Sequence, residues 1–383
     1  MGKIKNISEY SLAYFWLLPA LINFCSGVAS KMLGSSVGAL ATLMLYGLLV
    51  FVLINGYSKG ILRVTKFDIF GALFVSISIV GTYALFPQNE IYLDYSLANW
   101  PFSLLFFLVG KSVECLNLKH IHKASIIGFC LMFFGYVVFK GQTQKDMAFA
   151  YSALPYTIGI VHGFFDSKHI TYKIFMPIGM FFLFLLGTRG PLVIGLAYLA
   201  LCFLKNKHSV RRLLVSLIII AFAFNFIEST GYLQLLTQID EFLKQYGIES
   251  YIIKNALMGS TASVDSRIEY STYIWELLQN NLFLVHGLCG DRVVLNGSYS
   301  HNFFSEFLYA YGGFGGSILI AMGAVGIMFL YKRLTSKNGK DLLIMVLFAF
   351  FLKLLFSGSF VSDIWLYFAI GIMSRLYSRP SEV

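Results

Sequence analysis

Residues 300–333 read SHNFFSEFLYAYGGFGGSILIAMGAVGIMFLYKR. The stretch leaves a polar loop at Ser300, runs through an apolar block over 312–331 and stops on Lys332 and Arg333. An apolar run of about 20 residues is what a helix rising about 1.5 Å per residue needs to cross roughly 30 Å of hydrocarbon. Its basic stop fits the excess of lysine and arginine on the cytoplasmic side of membrane helices. The rest of the chain repeats this pattern of apolar block and short charged loop.

About twelve spans fit, at 11–29, 35–55, 67–86, 96–110, 124–139, 147–163, 171–186, 191–204, 211–227, 312–331, 341–357 and 362–377. The composition agrees: 57% hydrophobic and 17% aromatic against 13% charged, with a mean hydropathy of +0.73. The residue-by-residue alternation of a membrane β-barrel is absent. The expected fold is therefore all-α, a polytopic transmembrane helical bundle. Residues 1–227 hold spans one to nine, 228–311 a large loop, and 312–383 spans ten to twelve. Met1 to Lys5 and the apolar run after them resemble a signal peptide, but no small-residue cleavage site follows, so this segment is read as a retained first helix.

The net charge of +10 does not point to nucleic acid, because the basic residues gather in alternate short loops. Lys59, Arg63 and Lys66, then Lys111, Lys119 and Lys123, then Lys168 and Lys173, then Lys205, Lys207, Arg211 and Arg212 fall on one side with Lys332, Arg333, Lys337, Lys340, Arg375 and Arg379. That side is the cytoplasm, and both termini lie there. The loop over 228–300 lies on the outer face and carries eight acidic residues against four basic ones. Its segments 231–243 and 264–283 show helical apolar spacing, the second with a stripe of Ile268, Trp275, Leu278 and Leu282. Ser266 and Glu269 have the spacing of a capping box, which puts Arg267 in the first helical turn. A cation there opposes the helix dipole, so an anion held by both the arginine and the free amides is the better reason for it.

Arg189 follows a short outer turn, Leu186 to Pro191, and stays near the membrane surface. The tyrosines of the large loop suit either sugar stacking or an interfacial belt. Either Ser300 or Asn302 can cap the helix that follows, and His301 at its mouth is held neutral and able to accept a proton. Dinucleotide, P-loop, serine-hydrolase and zinc-protease signatures are missing. The five cysteines are scattered, without metal-ligand spacing. His120 and His122 share a cytoplasmic loop with no further ligands nearby, so no metal site is expected there. No Asp-x-Asp pair is present to hold a divalent ion on a diphosphate, which leaves that task to arginine. Lys353 and Asp363 lie at the same face and are candidates for an ion pair.

Taken together, Gly187-Thr188-Arg189-Gly190, Asp265-Ser266-Arg267, and Ser300-His301-Asn302 with the trailing Gly312-Gly313-Phe314-Gly315-Gly316 resemble the O-antigen polymerases (Wzy) and O-antigen ligases (WaaL). These are inner-membrane glycosyltransferases of the C superfamily. Span count, topology and the large outer loop are similar over the whole chain. The Ser362-Asp363-Ile364-Trp365 stretch is similar to an Asp-containing segment of the ligases, whereas the glycine-rich turn at 284–290, with His286 before Arg292, lacks the proline that the family pattern places ahead of it.

The resemblance implies a bacterial inner-membrane enzyme without a cofactor. Its substrate would be an undecaprenyl-diphosphate-linked oligosaccharide in the lipid phase, and its partner a chain-length regulator protein. His301 would be the base, and Arg189 and Arg267 would stabilise the leaving diphosphate. Arg292, Asn302, Glu306 and Asp363 would contact substrate. Polymerisation of repeat units is the expected activity; the alternatives are ligation of polymer to lipid A core, or a flippase or other transporter.

Overall fold

The computed structural model describes residues 11–37, 43–47, 64–113, 117–138, 147–186, 189–205, 230–247 and 262–378, with the single positions 40 and 50. The expected span at 211–227 lies outside them, as does part of that at 35–55. Every element among the described residues is helical: α1 Ser11–Asn23, α2 Lys66–Leu85, α3 Glu90–Leu97, α4 Trp100–Lys111, α5 Leu118–Val138, α6 Met147–Asp166, α7 Ile170–Leu185, α8 Arg189–Lys205, α9 Thr230–Gln245, α10 Ala262–Asn280, α11 Gly290–Val294, α12 Phe303–Tyr311, α13 Gly313–Arg333, α14 Lys337–Val346 and α15 Ile364–Ser378.

Among the described residues three helices, α2, α5 and α13, are long and apolar enough to cross a membrane, and α4, α7, α8 and most of α1 form shorter apolar helices. Ile69, Phe70, Leu73, Ile77 and Val80 of α2 are exposed, as are Ile318, Met322, Val325 and Phe329 of α13. Apolar faces this long are costly in water and suit a bilayer.

Three expectations change. Helix α5 begins six residues before the expected span, so Lys119, His120, His122 and Lys123 stand on a helix and not in a loop. The expected span at 341–357 is broken: α14 ends at Val346, and a π turn over Leu347–Phe351 and a 3₁₀ turn over Leu352–Leu355 follow. Helix α10 begins at Ala262, so Ser266 is its fifth residue and not its cap, and Arg267 lies past the first turn. The free amides that an anion would use are four residues upstream of it.

The helices cluster in two units, one built from α2–α4 and α10–α15, the other from α1 and α5–α9. In the first, Thr65 caps α2 through a capping box with Asp68. Asp68 then accepts a hydrogen bond from Ser374 Oγ at 2.6 Å and pairs with Lys111, which ties α2, α15 and α4 at one end. Helices α4 and α15 touch backbone to backbone, because a Cβ on Gly371 would fall inside contact distance of the Phe107 carbonyl oxygen and one on Gly110 against that of Phe368. In the second unit Gly128 and Gly159 make room between α5 and α6 for the Tyr156 ring and the Ser125 side chain.

Candidate functional site

The segment 281–302 is fixed within the first unit by backbone groups paired with side chains from α2 and the turn after it. Thr82 Oγ1 accepts from Leu288 N at 2.9 Å, while Asn89 Nδ2 donates to the carbonyls of His286 at 2.7 Å and Leu288 at 3.0 Å. Gly287 N donates to Ala310 O at 3.0 Å. The three non-glycine residues with positive φ among the described residues, Cys289, Asn296 and His301, all lie in this segment. Left-handed backbone at such residues costs on the order of 1–3 kcal/mol each and persists only where surroundings impose it.

Beneath the segment lies a buried polar knot. Arg292, 8% exposed, donates through Nη1 to Ser96 Oγ at 2.7 Å and to Cys289 Sγ, and through Nη2 to Ser359 Oγ at 2.8 Å. Ser359 passes the interaction on, donating to Glu306 Oε1 at 2.5 Å, while Phe360 N donates to Oε2 at 3.2 Å. The guanidinium lies 3.6 Å from Glu306. Asp291, also buried, accepts from Ser300 N at 3.0 Å through Oδ2, whereas its Oδ1 has no hydrogen-bond partner.

Of the two buried carboxylates, Glu306 is paired with the guanidinium, while Asp291 feels its charge without contacting it. Burial, reinforced by Asp291, pushes the Glu306 carboxyl up to about 8, and burial also raises Asp291. The cluster keeps a proton because a net negative charge out of water is the costlier state. Burial likewise pushes the Cys289 thiol up to about 11, leaving it a neutral acceptor for the arginine.

The knot positions His301. Asp291 holds the Ser300 amide on one side of it, and Asn302 on the other caps α12, accepting from Phe304 N at 2.8 Å. The imidazole of His301 is half-buried against the Tyr299 ring, centroids 3.9 Å apart. His286 is stacked on Tyr309 at 3.8 Å, and burial lowers its basicity. Gly312, with φ +77, closes α12; a Cβ there would press on the Leu284 carbonyl.

Helices α10 and α12 run parallel. Ser271 Oγ lies 3.0 Å from Ser305 Oγ, and beyond both C-terminal ends Phe314 N donates to Leu282 O at 2.9 Å. Four residues back from that serine pair stand Arg267 on α10 and His301 ahead of α12. The buried face of α10 is Ile274 and Leu278 with Tyr270 and Leu277, against Leu308 and Tyr309. Trp275 and Leu282 of the expected stripe are exposed. At the edge of this core a cleft of about 800 Å³ is lined by Glu269, Tyr270, Thr272, Tyr273 and Glu276, facing Asn296 and Ser298.

Of the expected residues, Arg292, Glu306 and Asp363 have their polar groups engaged internally, while Asn302 uses its Oδ1 as a helix cap. Asp363 pairs with Lys353 at 2.6 Å, as expected from the sequence, and caps α15 through the Trp365 and Leu366 amides. Helix α8 opens at Arg189, but the side chains of Arg189 and Arg267 lie outside the described residues. Sequence reasoning missed Ser96 and Ser359 as partners of Arg292, Asp291 as the acceptor of the Ser300 amide, and Thr82 and Asn89 as anchors of the loop. Polar residues inside otherwise apolar segments, such as Thr82 and Ser96, were the available signal. No protein-family model, curated protein or solved structure matches the chain.

Proposed function

We propose that the chain is a glycosyltransferase of a bacterial inner membrane that joins undecaprenyl-diphosphate-linked repeat units at the periplasmic face. In this reading it has about twelve spans, both termini in the cytoplasm and 228–311 as a periplasmic loop. A sugar hydroxyl of the acceptor attacks the anomeric carbon of the donor, and the carbon–oxygen bond to the lipid diphosphate breaks. The hydroxyl proton passes to His301, and the departing diphosphate is stabilised by Arg267 and Arg189. No metal enters this step; guanidinium groups take the negative charge.

The observation that supports the proposal is the parallel register of α10 and α12, with Arg267 and His301 each four residues before the serine pair that joins them. A cation for a diphosphate and a base for a hydroxyl are the two groups the reaction requires. The cleft lined by tyrosines and carboxylates beside α10 is of a kind that binds sugars, through ring stacking and hydroxyl hydrogen bonds. Arg292, Glu306 and Asp291 act from behind as positioning residues for the His301 backbone.

A deletion strain analysed on a polysaccharide gel tests the reading. Loss of the long ladder with one repeat left on the core supports polymerisation. Core without any repeat, with polymer stranded on undecaprenyl diphosphate, means ligation. Repeat units trapped on the cytoplasmic side mean a flippase.

A further inference from the structure

In the second unit α5 and α6 pack antiparallel in a register that advances three residues at a time. Gly128 faces the Tyr156 ring, Ser125 sits where a Cβ on Gly159 would be, and one step further His122 meets His162. Both histidines are buried, and His122 Nε2 lies 2.8 Å from His162 Nδ1. Asp166 follows His162 by one helical turn and is exposed at the end of α6. One ligand atom from each of the three lies within 4.8 Å of the other two. Tyr172 covers the His122 ring edge-on at 5.8 Å.

We propose that His122, His162 and Asp166 bind a divalent first-row transition metal of the zinc class. Two imidazoles and a carboxylate select such ions over magnesium or calcium, which prefer oxygen alone. A tetrahedral ion with bonds of about 2.0–2.1 Å holds its ligand atoms about 3.3 Å apart. The histidine nitrogens therefore separate by roughly half an ångström to admit it, and the exposed Asp166 side chain swings in to complete three ligands. The spacing is imposed from below: Gly128 and Gly159 let the two helices approach only this closely, and Trp16 Nε1 fixes Ser125 by a 3.0 Å hydrogen bond. Asp166 keeps one side of the site open, so the fourth position takes water. The metal would clip the ends of α5 and α6 together. This site takes no part in the proposed transfer step and stands or falls independently of it.

The test uses the full chain purified without a histidine tag, titrated with Co²⁺ as a spectroscopic probe, with zinc content measured after dialysis. The wild type should take one metal per chain and give visible absorption bands of tetrahedral or five-coordinate Co²⁺. Asp166→Asn, a change at an exposed position, should weaken Co²⁺ binding by about tenfold or more, because a ligand loses its charge. His162→Gln should abolish binding, while His120→Gln, outside the set, should leave it unchanged. Wild type without bands or bound zinc overturns the proposal. So does an Asp166→Asn variant that binds as tightly as wild type, or a His120→Gln variant that loses as much as His162→Gln.

Discussion

Arg292→Met and Glu306→Gln should have very unequal consequences, although the two side chains are neighbours in one buried cluster. Methionine removes donors to Ser96, Ser359 and Cys289 and leaves Glu306 without the guanidinium paired with it. Breaking a buried pair from one side costs about 3–5 kcal/mol. Because Glu306 accepts a proton up to about 8, it escapes part of that penalty, and the cost settles near the lower end, about 3 kcal/mol. Glutamine, by contrast, copies the protonated acid. Its carbonyl accepts from Phe360 N, its amide donates to Ser359 Oγ, and the expected cost is about 1 kcal/mol. At about 2 °C per kcal/mol for a large chain, Arg292→Met lowers the midpoint of thermal unfolding by about 5 °C or more and Glu306→Gln by about 2 °C. The assay is unfolding in detergent followed by intrinsic fluorescence, with thiol labelling of Cys289 as a local probe beside Arg292. If Glu306→Gln costs as much as Arg292→Met, Glu306 is an ionised partner, and the shared-proton account is wrong.

The same carboxyl predicts a pH dependence. Its folded pKa of about 8 exceeds its ordinary 4.5, so its stabilisation is complete below about 4.5 and is lost as pH rises through about 8, with a limiting slope of about 1.4 kcal/mol per pH unit. Between pH 5 and 8 the wild-type midpoint should fall more steeply than that of Glu306→Gln, and equal slopes would sink the assignment. Gly371→Ala should cost about 1–3 kcal/mol, because the new methyl meets the Phe107 carbonyl and not a side chain that can yield. Gly323→Ala on α13, where a Cβ meets nothing within 4 Å, should be neutral or slightly stabilising; equal melting of the two variants would refute the close approach of α4 and α15. For the proposed transfer, His301→Ala should reduce turnover by roughly 10²-fold to 10⁴-fold while lipid-linked donor still binds. Arg267→Lys should weaken donor binding as well, since lysine lacks the two-point grip on a diphosphate; full activity in either variant removes that residue from the chemistry.

Local patterns were legible without coordinates. Several apolar runs became helices within a few residues of their expected bounds, as at 67–86 and α2, 171–186 and α7, and 312–331 and α13. Asn302 became the cap of α12, and helices formed over 230–245 and 262–280, close to where the spacing placed them. These features depend on neighbours a turn or less away. The Lys353–Asp363 pair was legible for a similar reason, since both fall on one face and only ten residues apart.

What the sequence left undetermined was the set of residues that meet across the fold. Arg292 reaches Ser96 across 196 positions and Ser359 across 67, so a residue expected to hold substrate became the centre of a buried knot. His122, expected in a loop with His120 and no further ligands, stands on α5 and meets His162 across 40 positions. The face that α10 buries was likewise settled by Leu308 and Tyr309. The physical reason is that a chain built for a bilayer is apolar towards both lipid and protein, so periodicity fixes the helix but not its partner. Only close packing, as at Gly128, Gly159 and Gly371, decides which polar groups are brought together and which of them keep a proton.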